Sequence, residues 1–367
     1  MRRLITALYA FALLACAGLV LAQGPLKNPN ETVAKPKKST DPDAPKEESL
    51  PKIPSAYKKD KQDLANAPMY KTDVDLVTLD VSVIDNKGQF MPGIPAGNFR
   101  VLEDNVPQQV RKVDMGQAPM TVAMVVEFSQ KFQQMYSWAW FQTLQMVYGF
   151  VSTLQPDDYA AIIAYDIKPE ILSDFTTDRT KTQEALRRLT IPAWREANMF
   201  DAVTDTADRM SGIEGRKAIV LITTGIDTFS KITYDTARKK LQESGVPVYS
   251  IALMGMQKQM AASVPIEFLQ AENELKTFAK ETGGTAYFPV FEAEYGGIFQ
   301  RIQQALRNQY VISYAPSNKA HDGTFRKIKV ELVDKEGKPL PVKDEKGKPL
   351  KYQVIAKAGY KAPREVE

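Results

Sequence analysis

Apolar and polar positions divide the chain into regions of different texture. Short unbroken apolar runs recur at 120–126, 159–165, 218–223 and 248–253, as expected of strands covered on both faces. Stretches of helical period accompany them at 133–154, 179–189, 200–210, 234–243, 272–281 and 295–308. Strand and helix in repeated order predict right-handed crossovers and a doubly wound, mostly parallel sheet. Residues 74–84 alternate instead. Val77, Leu79, Val81 and Val83 fall on one side and Thr78, Asp80 and Ser82 on the other, which predicts a strand with one buried face. Segments 99–103 and 109–113 flank Asp104-Asn105 as a hairpin. After 309–314, residues 325–333 and 352–356 read as strands. Between them, 334–340 is echoed by 344–350, two Gly-Lys-Pro-Leu turns of a meander. Because β segments flank the α/β unit at both ends, they are expected to pair into one accessory β domain of sandwich type.

The N-terminal region differs from both. Arg2 and Arg3 precede an apolar run from Leu4 to Ala22, and small residues at the cleavage positions predict a signal peptide over 1–22, removed after Ala22. Two alternatives remain: Leu13-Leu14-Ala15-Cys16 as a lipobox acylated at Cys16, or an uncleaved anchor of ~19 apolar residues. Residues 23–70 are rich in Pro, Lys, Glu and Asp and poor in apolar side chains, so they are expected to form a disordered linker. The remaining divisions are 71–117 and 309–360 for the two parts of the accessory β domain, 118–308 for the α/β unit, and 361–367 for a tail. The expected address is secreted, periplasmic or cell envelope.

The residue inventory narrows the chemistry. The 367 residues include one His and one Cys, which exclude a multi-ligand Cys/His zinc site and an intrachain disulfide framework. A net charge of +4, from 48 Lys and Arg against 44 Asp and Glu, is too small for a broad nucleic-acid footprint. His321 lies in a polar turn with no second His or Cys to support it. Asp157-Asp158 reads as a helix-to-strand turn, and Asp201, Asp205 and Asp208 as a solvated face of one helix. Gly283-Gly284 opens a strand, so no phosphate loop is present there.

Several colinear segments carry a family resemblance: Val83–Gly88 with Asn98–Asp104, Ile219-Val-Leu-Ile-Thr-Thr-Gly225, 275–284, and Tyr310-Val-Ile-Ser-Tyr-Ala-Pro316. Together they resemble the von Willebrand factor A (VWA) fold, and more closely an acidobacterial-type VWFA-related domain family, over roughly 73–360. The resemblance implies a protein-contact module with no established enzymatic activity. It also implies a metal-ion-dependent adhesion site: Asp-x-Ser-x-Ser after the first strand, a Thr from a later loop, and an Asp after a central strand. Such a site suits Mg²⁺, which takes oxygen ligands in octahedral order. Here Glu127-Phe128-Ser129-Gln130-Lys131 occupies the first loop, Ala197 beside Asn198 stands at the Thr position, and Thr224 replaces the Asp, with Asp227 three residues later. Two hydroxyls and a carboxylate are thus lost and a Lys ammonium is gained. The expectation is that Lys131 pairs with Glu127 in place of the ion. The alternative is an atypical Mg²⁺ site through Glu127, Ser129, Thr224 or Asp227.

On the helix that follows, Tyr136, Trp140, Thr143, Val147, Phe150, Val151 and Leu154 form the core stripe, while Trp138, Phe141 and Tyr148 lie off it. That second group is either buried beneath a loop or exposed to a partner. The sequence therefore points to a secreted or envelope-associated, non-catalytic VWA-like binding or scaffold module with no cofactor. Its partner contacts are expected at Lys131, Asn198, Trp138, Phe141 and Tyr148. The alternative is an adhesion or ligand-binding module that uses an atypical divalent metal site.

Overall fold

The computed structural model describes residues 76–364 apart from 87, 116–118, 130–138, 189–193, 214, 254, 256–263 and 344–346. The signal peptide and linker expected over 1–70 lie outside the described residues.

The sandwich is built from the two ends of the described chain. Its first sheet runs β15–β1–β11–β4, where β1 is Val77–Asp85, β4 Val110–Met115, β11 Tyr310–Tyr314 and β15 Tyr352–Ile355. The second runs β16–β12–β2–β3, with β2 Phe99–Glu103, β3 Val106–Gln108, β12 Phe325–Leu332 and β16 Gly359–Lys361. Alternation decides which side chains meet between them. Leu79, Val81 and Val83 of β1 pack with Tyr310, Ile312 and Tyr314 of β11 against Phe99, Val101, Ile328, Val330 and Leu332. One acid enters this core: Glu103 is buried, and its Oε2 accepts hydrogen bonds from Tyr314 (2.6 Å) and Tyr360 (3.0 Å). Asp104 and Asn105 both have positive φ (48° and 67°), so the β2–β3 hairpin closes on the left-handed two-residue turn their side chains tolerate. The second arm of that hairpin stops at Gln108. The segment 109–113, expected to be that arm, instead leads into Val110–Met115, which crosses to the other sheet and pairs with β11. Between the last strands, β13 (Val342–Lys343) pairs with β14 (Pro349–Leu350), consistent with a meander.

Inserted between β4 and β11 is the α/β unit. Among the described residues its sheet has six strands in the order β10–β9–β8–β5–β6–β7: β5 is Met120–Glu127, β6 Tyr159–Tyr165, β7 Pro169–Thr176, β8 Arg216–Thr223, β9 Val248–Ala252 and β10 Ala286–Tyr287. All neighbours are parallel except β6 and β7. The strand β7, which the sequence pattern did not reveal, is an edge strand whose register slips twice against β6.

The helices are α1 (Ala139–Ser152), α2 (Arg179–Arg187), α3 (Met199–Ser211), α4 (Tyr234–Ser244), α5 (Ile266–Thr282) and α6 (Tyr295–Arg307). The central strand β5 is buried along its whole length and serves both faces. Met120, Val122, Met124 and Val126 pack with α1, α2 and α6, whereas Ala123 and Val125 pack with α3, α4 and α5. The predicted stripe on α1 is buried at Thr143, Val147, Phe150, Val151 and Leu154. The α5 helix begins six residues before the expected 272, because Phe268 and Ala271 already belong to its buried face. Among the described residues, no helix is long and apolar enough to cross a membrane.

Candidate functional site

Parallel strands in a doubly wound sheet end together, and the loops that follow them form one rim. Glu127 is the last residue of β5 and stands in the middle of that rim, 3 % exposed. Its carboxylate is filled from two sides. Oε1 accepts from the Ser129 hydroxyl at 2.8 Å. Oε2 accepts from the Thr223 hydroxyl (2.9 Å), the Thr224 amide (2.7 Å) and the Thr224 hydroxyl (2.9 Å). A second tier supports these donors. The Tyr165 hydroxyl donates to Thr223 Oγ1 at 2.7 Å, and so does the Gly225 amide at 2.8 Å, which Gly225 reaches with a left-handed φ of 79°. Burial, and then the adjacent Glu127, push the Tyr165 phenol well above its ordinary pKa, so it stays a donor.

Four donors on one carboxylate approach its full complement of acceptor positions. Glu127, Ser129 and Thr224, three of the four residues expected to ligate a metal, are therefore brought together. The fourth is not. Asp227 accepts from the Phe200 amide (3.2 Å) and from the hydroxyl (2.5 Å) and amide (3.3 Å) of Ser230, which fastens the start of α3 to the loop after β8. Burial raises its pKa, and the bonds from Ser230 and Phe200 oppose that rise.

Among the described residues, the hydroxyl and amide donors at this site are engaged with the protein's own carboxylate. Mg²⁺ takes oxygens with open lone pairs, whereas here the hydroxyls and amide aim hydrogens at a single carboxylate beneath buried Ser129 and Thr224. Among the described residues, no group of three or more His, Cys, Asp or Glu side chains is arranged to hold a metal.

The remaining expected contacts are spread out. Lys131 and Trp138 lie outside the described residues, as does the side chain of Phe141. Tyr148 is exposed on α1. Asn198 is buried. Its amide nitrogen Nδ2 donates to the Ile167 carbonyl at 3.0 Å, its backbone N–H donates to the Asp166 carbonyl, and its Oδ1 has no hydrogen-bond partner among the described residues. Ala197, at the position of the missing Thr, accepts the amides of Thr228 and Phe229 through its carbonyl. Sequence reasoning missed Thr223 and Tyr165. The doubled Thr at the end of β8, where the resemblance leads one to expect Thr-Asp, was the available signal. It also missed a set of exposed apolar side chains on or beside the rim: Trp194 before α3, Phe229 after β8, Ile266 (70 % exposed) and Leu269 at the start of α5, and Phe291 after β10.

No family model matches the chain, and no curated protein matches it. Solved structures do. An aerotolerance-related membrane protein from Bacteroides fragilis, bearing multiple mutations to serines, is 16 % identical, with 51 % of this chain and 98 % of that one covered and a TM-score of 0.40. The vWF domain of the type V pili tip protein Mfa5 from Porphyromonas gingivalis is 14 % identical over 52 % of this chain and 97 % of that one, with a TM-score of 0.39. Proximal thread matrix protein 1 from the mussel byssus, with a zinc-occupied MIDAS motif, is 12 % identical over 53 % and 50 %, with a TM-score of 0.40. The α/β unit is a doubly wound sheet with helices on both faces, set within an accessory β sandwich.

Proposed function

We propose that the chain is a non-catalytic protein-binding or scaffold module of the cell envelope or extracellular space, and that its rim meets a protein partner without a metal ion. The saturation of Glu127 by Ser129, Thr223 and Thr224 carries this reading. In a metal-dependent module a partner's carboxylate completes the ion's coordination. Here the carboxylate at the centre of the rim belongs to the protein and is already satisfied. Binding energy would then come from apolar and aromatic side chains on the rim, such as Trp194, Phe229 and Ile266, and from Trp138, Phe141 and Tyr148 of the α1 region. The envelope address rests on the signal-like residues 1–22.

Calorimetric titration of the purified chain with Mg²⁺ and with Mn²⁺ tests the metal-free rim, and no saturable heat is the expected result. Saturable binding that disappears in Glu127→Ala overturns it. The alternative, an atypical metal site, is favoured by one observation: Oδ1 of Asn198 is buried without a hydrogen-bond partner among the described residues. A metal held there would be lost in Asn198→Ala.

A further inference from the structure

Three sheet edges converge on one groove beside the α/β unit. The first is β15, the outermost strand of its sheet, paired with β1 on one side and with no strand on the other among the described residues. The second is β12. Residues 325–327 pair with β16 and Ile328 donates to Ala358, and beyond that, among the described residues, no strand pairs with β12 on that side at Val330. The third is β10, the last strand of the six-stranded sheet. Residues 353–355 of the first, 328–330 of the second and Ala286 of the third line a groove of about 1010 Å³, with α5 as its outer wall.

Its charge is one-sided. Arg238, Lys276, Lys280, Lys329 and Lys357 line it, against a single carboxylate, Glu281. Arg238 pairs with Glu281, Lys276 with Glu272 and Lys329 with Glu331. Lys280 is exposed and has no carboxylate within 4 Å among the described residues, so it leaves the groove a positive excess, whereas Lys357 is largely buried and lies in the field of Asp80. An open strand edge recognises a main chain, and the flanking charges select its side chains.

We propose that this groove is a strand-addition site, in which an extended acidic segment of a partner protein pairs with β15 beneath the lysines of α5 and β12. The site is separate from the rim around Glu127 and does not depend on the metal-free reading of that rim.

The test uses the full chain and fluorescein-labelled (Glu-Thr)6, with (Lys-Thr)6 and an N-methylated (Glu-Thr)6 as controls. Anisotropy should rise with (Glu-Thr)6 and with neither control, and those amides of 353–355 that point away from β1 should gain protection from hydrogen exchange. Lys280→Glu with Lys329→Glu, both at exposed positions, should weaken binding by about tenfold or more with the unfolding midpoint retained. Equal binding of the N-methylated peptide overturns the proposal, because charge alone would then suffice. Absence of any peptide binding also overturns it. The lysines would then be guards against edge-to-edge aggregation or, if the chain dimerises with concentration, the groove would belong to a second copy.

Discussion

A carboxylate buried under four donors is held by charge-assisted hydrogen bonds, each stronger than a neutral one. Glu127→Gln keeps the shape but turns part of the acceptor into an NH2 facing other donors. We expect a loss of about 2–4 kcal/mol, read as a lower urea midpoint at unchanged slope. Lys131→Met should change stability far less, because the described donors already fill Glu127; an equal loss would restore the lysine as the partner. A second residue is set in the opposite sense. Asp205 on α3 is crowded by burial and then by Asp201, which raise its pKa to about 6. A carboxyl raised on folding is held protonated by the native state while the unfolded chain has already released its proton. Stability therefore falls as pH climbs from about 4 through about 6. Asp205→Asn should raise stability at pH 7 by about 1 kcal/mol, solvent screening of this half-buried group reducing the full effect, and leave it nearly unchanged at pH 3.5, where the native carboxyl is neutral. Denaturant titrations at both values distinguish this from a pH-independent effect.

Elements whose burial is regular were legible in the sequence, and those set by neighbours were not. Strands β5, β6, β8 and β9 are continuous apolar runs because helices cover both faces, and β1 alternates because one face does not enter the sandwich core. The edge strand β7 shows neither pattern, since its register slips against β6 remove the period. At the rim, substitution of the expected ligands could be read directly from Glu127, Ala197 and Thr224. That Thr223 would supply a hydroxyl could not, because it depends on how far β8 projects beside β5. Asp158 illustrates the same limit. As a turn residue it was plain, yet its side chain is 1 % exposed and accepts the Met120 amide (3.1 Å) and the Gln155 amide (2.7 Å) while paired with Arg307. Asp158→Asn, which leaves Arg307 without its ion partner, should cost about 3–5 kcal/mol and lower the midpoint of thermal unfolding.

At the scale of the whole molecule, the sandwich and the inserted α/β unit share one chain path. Met115 of β4 pairs with Tyr310 of β11, so the chain leaves the sandwich and returns to it on neighbouring strands. Contacts across the boundary include the Ser82 hydroxyl on the Ala305 carbonyl (3.1 Å) and the Ala358 amide on the Glu281 carbonyl (2.9 Å). Pairing β1 with β11 in an unfolded chain means closing a very long loop. Compared with a loop of about ten residues, that closure costs roughly 3 kcal/mol more in entropy. The Asp158 carboxylate changes this, because it fastens the first residue of β5 to the last residue of α6 and so clasps the neck of the inserted domain. Once the inserted α/β unit has formed, the two halves of the sandwich are delivered side by side. Refolding should accordingly proceed in two phases, inserted domain first, and opening the clasp with Asp158→Asn should slow the second phase more than the first. One buried acid would then set when, in the order of assembly, the sandwich closes.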